Sequence, residues 1–479
     1  MKKKFLTNLS ILLFLNFLVK PFWVLGIDRT VQNVVGAAEY GFYFSLFSFS
    51  IILNILLDFG ITNFNNRAIA RDHGNLASYL SNIVILKFLL SVIYFIVSFL
   101  IAFIIGYDSI QMKLLVILVI NQFIASLILY MRSNVSGLQM FRTDSFLSVL
   151  DRALMIIICG VLLWGNVTEQ KFRIEWFVYA QTVAYLLTLI VSFVIVLKKA
   201  TFFRPGFNSE MLIKIIKSSY PYALLSMFMI IYVRIDSVML ERMLDDGGVQ
   251  AGIYAQSYRI LDAASMMGYL FAGILLPMFS KMIKQKQSVE ELTQLSFLLL
   301  IVPAILVSLG SLFFKKEIIS LLYDSHIPVS ADIFGVLMLA FIPVSVGYIS
   351  GSLLTANGNL KTLNIIALSG VIVNVILNLI LIPKYQAMGS AEASLFTQSI
   401  TVLIQIIAVY RIMKFKPDIL RNIKLAGFFV LVVILGFFVS GMSFFWVYEL
   451  LIFGLLGIIF AWSVRLLKPL SIIGILKQE

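Results

Sequence analysis

Charge is what this chain has least of. Asp, Glu, Lys and Arg make up 13% of its 479 residues, against about 25% in an ordinary soluble chain. Hydrophobic residues reach 61% and mean hydropathy is +1.00. That composition excludes intrinsic disorder. It also excludes a soluble globular protein, which could not hide so much apolar surface. The only cysteine is Cys159, so an intrachain disulfide is impossible. The two histidines, His73 and His326, stand far apart in loops, and no metal site is expected from them. There is no G-x-x-x-x-G-K-[ST] loop, and no H-E-x-x-H, G-x-S-x-G or C-x-x-C motif, so direct ATP use by that route is excluded and no catalytic residue or cofactor is expected. Loops are short, which leaves no room for a large soluble domain and weakens a glycosyltransferase or polymerase reading. Net charge is +13. A soluble chain so basic would suggest nucleic acid. Without a soluble basic module no nucleic-acid partner is expected, and the excess serves membrane topology instead.

What is present is continuous apolar sequence. Only helices or closed barrels satisfy their backbone in lipid, and barrels need alternating segments of about ten residues. The runs here do not alternate. The fold class is therefore an all-α polytopic membrane protein. Fourteen stretches are long enough to span, at about 20 residues each: near 9–27, 40–61, 83–106, 113–131, 146–165, 176–197, 219–240, 252–277, 294–313, 332–354, 363–382, 389–410, 424–441 and 446–465. Met1-Lys2-Lys3-Lys4 and the run after it imitate a signal peptide. With Lys20 and Pro21 inside the run and no clear cleavage site, it reads as a retained first span. One set of loops, with both ends of the chain, carries 24 Lys and Arg, and the opposite set carries 8. That bias puts both termini in the cytoplasm.

Two basic loops, around Lys198–Lys217 and Arg411–Lys424, divide the spans into six, six and two. The expected organisation is an amino-terminal lobe over 1–200, a cytoplasmic linker over 201–218, a carboxy-terminal lobe over 219–410, and a peripheral pair with a cytoplasmic tail over 411–479. Tyr40-Gly41-Phe42-Tyr43 opens the second span and Ala251-Gly252-Ile253-Tyr254 the eighth. This weak match between halves points to a parallel repeat, an arrangement that tends to place substrate between the halves.

Ionisable groups near a bilayer centre cost at least about 2.5–3.5 kcal/mol, so each one inside a span asks for a reason. Lys20 shares a helix face with Asn16 and Trp23 beside the kink expected at Pro21; it lines a cavity or snorkels outward. Arg234 and Asp236 point to different sides of the seventh span, so at least one needs a partner on another helix or water. Arg259 and Asp262 are three apart in the eighth, and both a locked pair and a substrate role fit. Lys20, Arg234 and Arg259 have similar depth and across a cavity would make a positive lumen suited to an anion. Asp58, Asp151 and Arg152 lie near span ends, where an anchor or gate fits better than substrate contact. Lys87 reads as snorkelling. Asn374 and Asn378 suit interhelical hydrogen bonding, and Gly347 with Gly351 forms a close-packing G-x-x-x-G.

The later spans carry more specific text. Lys316-Glu317-Ile318-Ile319-Ser320-Leu321-Leu322-Tyr323 is followed by Leu353-Leu354-Thr355-Ala356-Asn357-Gly358-Asn359-Leu360-Lys361. Then comes Asn374-Val375-Ile376-Leu377-Asn378-Leu379-Ile380-Leu381-Ile382-Pro383, ahead of Gly389-Ser390-Ala391-Glu392. With Val35-Gly36-Ala37-Ala38-Glu39-Tyr40-Gly41, Leu57-Asp58-Phe59-Gly60 and Arg234-Ile235-Asp236, these stretches closely resemble the polysaccharide transporter branch of the multidrug/oligosaccharidyl-lipid/polysaccharide exporter superfamily. Wzx-type repeat-unit flippases are members. Gln386 replaces the first glycine of the branch's usual N-x-x-L-N-L-x-L-I-P-x-x-G-x-x-G-A-A run, and Glu392 departs from its end.

The resemblance implies two six-helix lobes around a laterally open cavity, with the last two spans peripheral. It implies a flippase that moves undecaprenyl-pyrophosphate-linked oligosaccharide, for O-antigen, capsule or exopolysaccharide, across a bacterial inner membrane by alternating access. On this reading Lys20, Arg234 and Arg259 hold substrate. Asp236 and Asp262 couple to H+ or Na+, and Asp58, Asp151 and Arg152 serve gating. Membrane lipids, a polysaccharide polymerase and a chain-length regulator are the other expected partners. A drug or cation antiporter of the same superfamily and a membrane-embedded polymerase are the alternatives. A cation exporter should show more acid than base in its cavity, and this chain shows the opposite.

Overall fold

The computed structural model describes residues 15–16, 18–165, 167, 169–200 and 209–466. The Met1–Lys4 segment, the first half of the expected linker (201–208) and the tail beyond 466 lie outside them. Every regular element among the described residues is helical. Twelve helices are long and apolar enough to cross a membrane. Two of them contain a residue with non-helical backbone, Gly36 and Gln386. Each is therefore two helices joined by a one-residue turn. Residues 9–14 and 17 of the first expected span lie outside the described residues, which hold fourteen long helices.

They are α1 (18–35), α2 (37–52), α3 (Leu76–Ile104), α4 (Ser109–Gly137), α5 (Phe141–Trp164), α6 (Ile174–Leu197), α7 (Ser209–Met243), α8 (Gly247–Lys284), α9 (Glu290–Phe313), α10 (Ile327–Ala356), α11 (360–385), α12 (387–413), α13 (Ile419–Val439) and α14 (Trp446–Ser463). Short helices Ile61–Arg71 and Lys315–Leu322 lie between spans. The chain divides into two compact units, residues 1–255 and 256–479. The first holds α1–α7 and the opening of α8.

In the first unit α4 packs against α2, α3, α5, α6 and the helix Ile61–Arg71. Its buried side chains are unusually polar. Asn54 Nδ2 donates to Gln122 Oε1 at 2.7 Å, and Asn65 Nδ2 donates to Ser133 Oγ at 2.8 Å and Asn134 Oδ1 at 3.0 Å. Hydrocarbon lends no driving force for packing apolar faces together, so such bonds and close packing hold membrane helices. In the second unit α13 and α14 lean on α9 through Ile305, Leu309, Phe428, Val432, Leu435 and Phe453. Gly347 of the G-x-x-x-G pair faces α12, where a β-carbon would stand 3.1 Å from Val402. The expected close packing is there.

The turn between α11 and α12 depends on backbone that glycine suits. Gln386 has φ 52° and ψ −134°, a region L side chains enter at a cost of about 1–3 kcal/mol. A β-carbon on Gly389 would lie 2.5 Å from the Leu381 carbonyl oxygen. Asn378 staples the hairpin: its Oδ1 accepts from Ser390 Oγ at 2.8 Å, while its Nδ2 donates back to Asn374. The glycine that the family pattern places at 386 thus has a steric reason. Gln386→Gly should stabilise the protein by about 1 kcal/mol once the extra freedom of the unfolded glycine is subtracted, and so raise the midpoint of thermal unfolding in detergent. Gly389→Ala should lower it.

Candidate functional site

The first span is bent by its own sequence. Pro21 has no N–H to give the preceding turn, and Trp23–Asp28 follows as a π-helical turn. Such bulges displace side chains around the axis and often mark functional positions. Here Trp23, Ile27 and Asp28 all face inward and are buried. On α5, Arg152 stacks over Trp23 at 5.4 Å and over Tyr185 of α6 at 5.9 Å. Trp23 in turn stacks on Phe177 at 5.7 Å. Asp151 Oδ2 stands 3.6 Å from Arg152 Nε. Lys20 has Arg152, Asp151 and Arg132 as charged neighbours, and Arg132 is itself paired with Asp144 at 2.9 Å. Asn16 Nδ2 donates to Ser148 Oγ at 3.1 Å.

The structure therefore gathers three sequence candidates, Lys20, Asp151 and Arg152, into one cluster. It is basic and walled by Trp23, Tyr185 and Phe177. The Arg152 guanidinium also donates from Nη2 to Tyr185 Oη at 3.4 Å, and guanidinium over an aromatic face is a stable pairing. The polar stripe of Lys20, Asn16 and Trp23 is oriented as the sequence indicated. Arg152, an anchor or gate candidate from sequence, has Lys20 as a charged neighbour.

Other candidates fall elsewhere. Asp236 of α7 is fully buried and accepts from Tyr254 Oη at 2.7 Å. Arg234 is half-buried on the same helix. Arg259 and Asp262, half-buried and three residues apart on α8, belong to the second unit. At the carboxy-terminal end of α7, Arg242 donates to the Gly106 carbonyl at 3.0 Å and covers Tyr107 at 5.0 Å. Burial pushes the Tyr107 phenol up, the Glu241 carboxylate adds to this and Arg242 opposes it.

One partner set was missed from sequence. Asp28, read as a loop residue, is buried and accepts from Tyr40 Oη at 2.8 Å. Asp28 precedes the turn into α2 just as Asp236 precedes the turn into α8. Each carboxylate is thus bonded by a tyrosine from the next helix. The aligned segments Tyr40–Tyr43 and Ala251–Tyr254 were the available signal. They also touch: a β-carbon on Gly41 would sit 1.9 Å from the Gly248 carbonyl oxygen, and one on Gly252 2.0 Å from that of Ala37. The two segments thus cross backbone to backbone, α2 on α8, within the first unit.

Lys87 does not snorkel. It is 0% exposed, and Nζ donates to Asp58 Oδ1 at 2.6 Å, Ser126 Oγ at 2.8 Å and the Leu57 carbonyl at 2.9 Å. The break after α2, at Phe59 and Gly60 with positive φ, frees that carbonyl, and the ammonium fills the gap. Removing one member of a buried pair leaves the other uncompensated. Lys87→Met should lower stability by about 3–5 kcal/mol in detergent unfolding. Adding Asp58→Asn to it should cost less than the sum of the two single changes.

Residues 6–283 match the family described as "Polysaccharide biosynthesis protein". The chain belongs to that family. A curated relative, "Uncharacterized membrane protein MJ1375" of Methanocaldococcus jannaschii, is 28% identical over 203 residues. Those residues are 42% of this chain and 46% of the relative, so the match spans about half of that protein's length. Among solved structures, "Lipid II flippase MurJ, inward closed conformation" has a TM-score of 0.74 at 17% identity, covering 95% of this chain and 98% of its own. A multidrug resistance MATE family transporter of the MOP superfamily, in an inward-facing conformation, scores 0.61 at 15% identity and covers 85% and 94%. A MOP superfamily transporter from Pyrococcus furiosus, whose description reports a binding pocket of reversed polarity, scores 0.59 at 16%, covering 85% and 95%. The fold is the one these solved structures share, as the resemblance in the sequence implied. The chain is a multi-pass membrane protein.

Proposed function

We propose that this protein is a flippase for undecaprenyl-pyrophosphate-linked oligosaccharide, moving repeat units for O-antigen, capsule or exopolysaccharide across a bacterial inner membrane by alternating access. The observation that carries the reading is the basic, aromatic-walled cluster of Lys20, Arg152, Trp23 and Tyr185 inside membrane-spanning helices. Cations in low dielectric favour a doubly charged pyrophosphate, arginine meets phosphate bidentately, and aromatic faces suit sugars beside it. A carrier of cationic drugs has no use for such a cluster. The likeness to the lipid II flippase MurJ supports a lipid-linked substrate.

In this reading Lys20, Arg234 and Arg259 bind substrate, with Arg152 beside Lys20. Asp236 and Asp262 couple transport to H+ or Na+, and Asp58 and Asp151 hold gating positions. Both termini are cytoplasmic, by the bias in basic loops. The protein is a carrier and makes or breaks no bond. A polymerase and a chain-length regulator act on what it delivers.

The test is a leaflet-accessibility assay in proteoliposomes with undecaprenyl-pyrophosphate oligosaccharide. The native chain should move the lipid. Lys20→Ala, Arg234→Ala and Arg259→Ala, each checked for folding, should slow it roughly 10- to 100-fold, the loss of one charge-assisted contact. Movement unchanged in all three would make these residues structural. No movement with several glycans, together with binding of a cationic drug, would favour the antiporter. Asp236→Asn and Asp262→Asn should abolish any dependence on an ion gradient.

A further inference from the structure

The second unit contains a cavity of about 570 Å³ that the transport reading does not use. It lies between α9, α10, α12 and the start of α13. Its walls are apolar, with Phe297, Val346, Ile349, Ile406 and Val409 among them. At one end, beside the loop 414–418, stand Arg411, Arg421 and Asn422. The size is that of a small-molecule site, and the lining is two-ended: hydrocarbon along its length and cationic at its mouth.

Arg421 gives the mouth its chemistry. Its Nη2 donates to Tyr410 Oη at 3.2 Å, which fixes the guanidinium against α12. Its Nε and Nη1 are buried and, among the described residues, have no hydrogen-bond partner. Asp418, three residues earlier, is occupied as a helix cap, accepting from the Arg421 backbone N–H at 3.0 Å. Donors on a charged group left unsatisfied out of water are costly, so a cation held this way calls for an anion. Arg411 at the same mouth adds a second charge.

We infer that this cavity is a binding site for an anionic glycerophospholipid, with one acyl chain in the apolar slot and the phosphate on Arg421 and Arg411. Basic pockets between membrane helices take anionic headgroups in this manner, and the guanidinium donates two parallel bonds to phosphate oxygens. A headgroup anion supplies acceptors for Nε and Nη1 that water in an apolar slot would supply poorly. The cavity suits a single acyl chain better than a long polyprenyl tail. The site also ties α12 to α13, so a bound lipid would join the last two spans to the body of the unit. The inference stands whether or not the protein moves a glycan.

Native mass spectrometry of the full chain, delipidated in detergent and titrated with phosphatidylglycerol or phosphatidylcholine of equal chain length, tests it. One phosphatidylglycerol should be retained about fivefold or more tightly than phosphatidylcholine, the effect of at least one basic side chain at a headgroup. Arg411→Gln with Arg421→Gln should erase that preference. Ile406→Trp, which fills the slot and leaves both charges, should lose retention altogether. Arg421→Lys should keep part of the preference. Equal retention of the two lipids, or a preference untouched by both the charge and the slot variants, would overturn the inference. Displacement of phosphatidylglycerol by equimolar undecaprenyl phosphate would overturn the assigned occupant and give the slot to a prenyl lipid. If the double variant does not fold, as judged by gel filtration, the slot variant alone decides.

Discussion

Hydrocarbon offers no water, and every polar group inside this protein is placed by that fact. An ammonium at Lys87 with nothing around it could not persist at 0% exposure. It persists because a broken helix supplies a carbonyl and a carboxylate, and α4 a serine hydroxyl, all within 2.9 Å. The same demand explains the bonded Asn and Gln side chains along α4 and the tyrosines on Asp28 and Asp236. Apolar faces of these helices already match lipid, so their packing gives little specificity. The polar bonds and the glycine approaches supply it.

The buried charges fall into pairs that satisfy each other and groups that gather like charge. Lys87 and Asp58 satisfy each other, and Arg132 has Asp144. Lys20 and Arg152 form a different group: two cations in one neighbourhood with Asp151 among their charged neighbours and aromatic rings as walls. A local excess of positive charge in low dielectric raises the affinity for an anion that enters. Arg421 shows the same logic at another scale, with one guanidinium half satisfied by a phenol.

Much of this was legible in the amino-acid order. Continuous apolar runs fix span number and fold class, since the backbone leaves no other choice. The helical spacing of Asn16, Lys20 and Trp23 fixes a shared face. Gly41 and Gly252 mark two places where a backbone can come close. What was hidden depends on pairing between helices distant in sequence. Nothing in the local text says that Lys87 finds Asp58, 29 residues earlier, or that Arg152 stacks on Trp23. Asp28 looked like a loop residue because a polar stretch follows it, yet α1 runs on and the chain reverses on Gly36 alone, at φ 82°. Arg421 looked like a topology signal because basic loops usually are one.

The crossing of α2 and α8 has a kinetic corollary. At Gly41 and Gly252 main chain lies on main chain, and neither glycine has a side chain to interlock. A seam of that kind resembles two smooth rails. Parting them would free no side chain held by either glycine, and rejoining them would require none to find its slot again. This close backbone approach is thereby also one where rejoining asks little ordering of side chains.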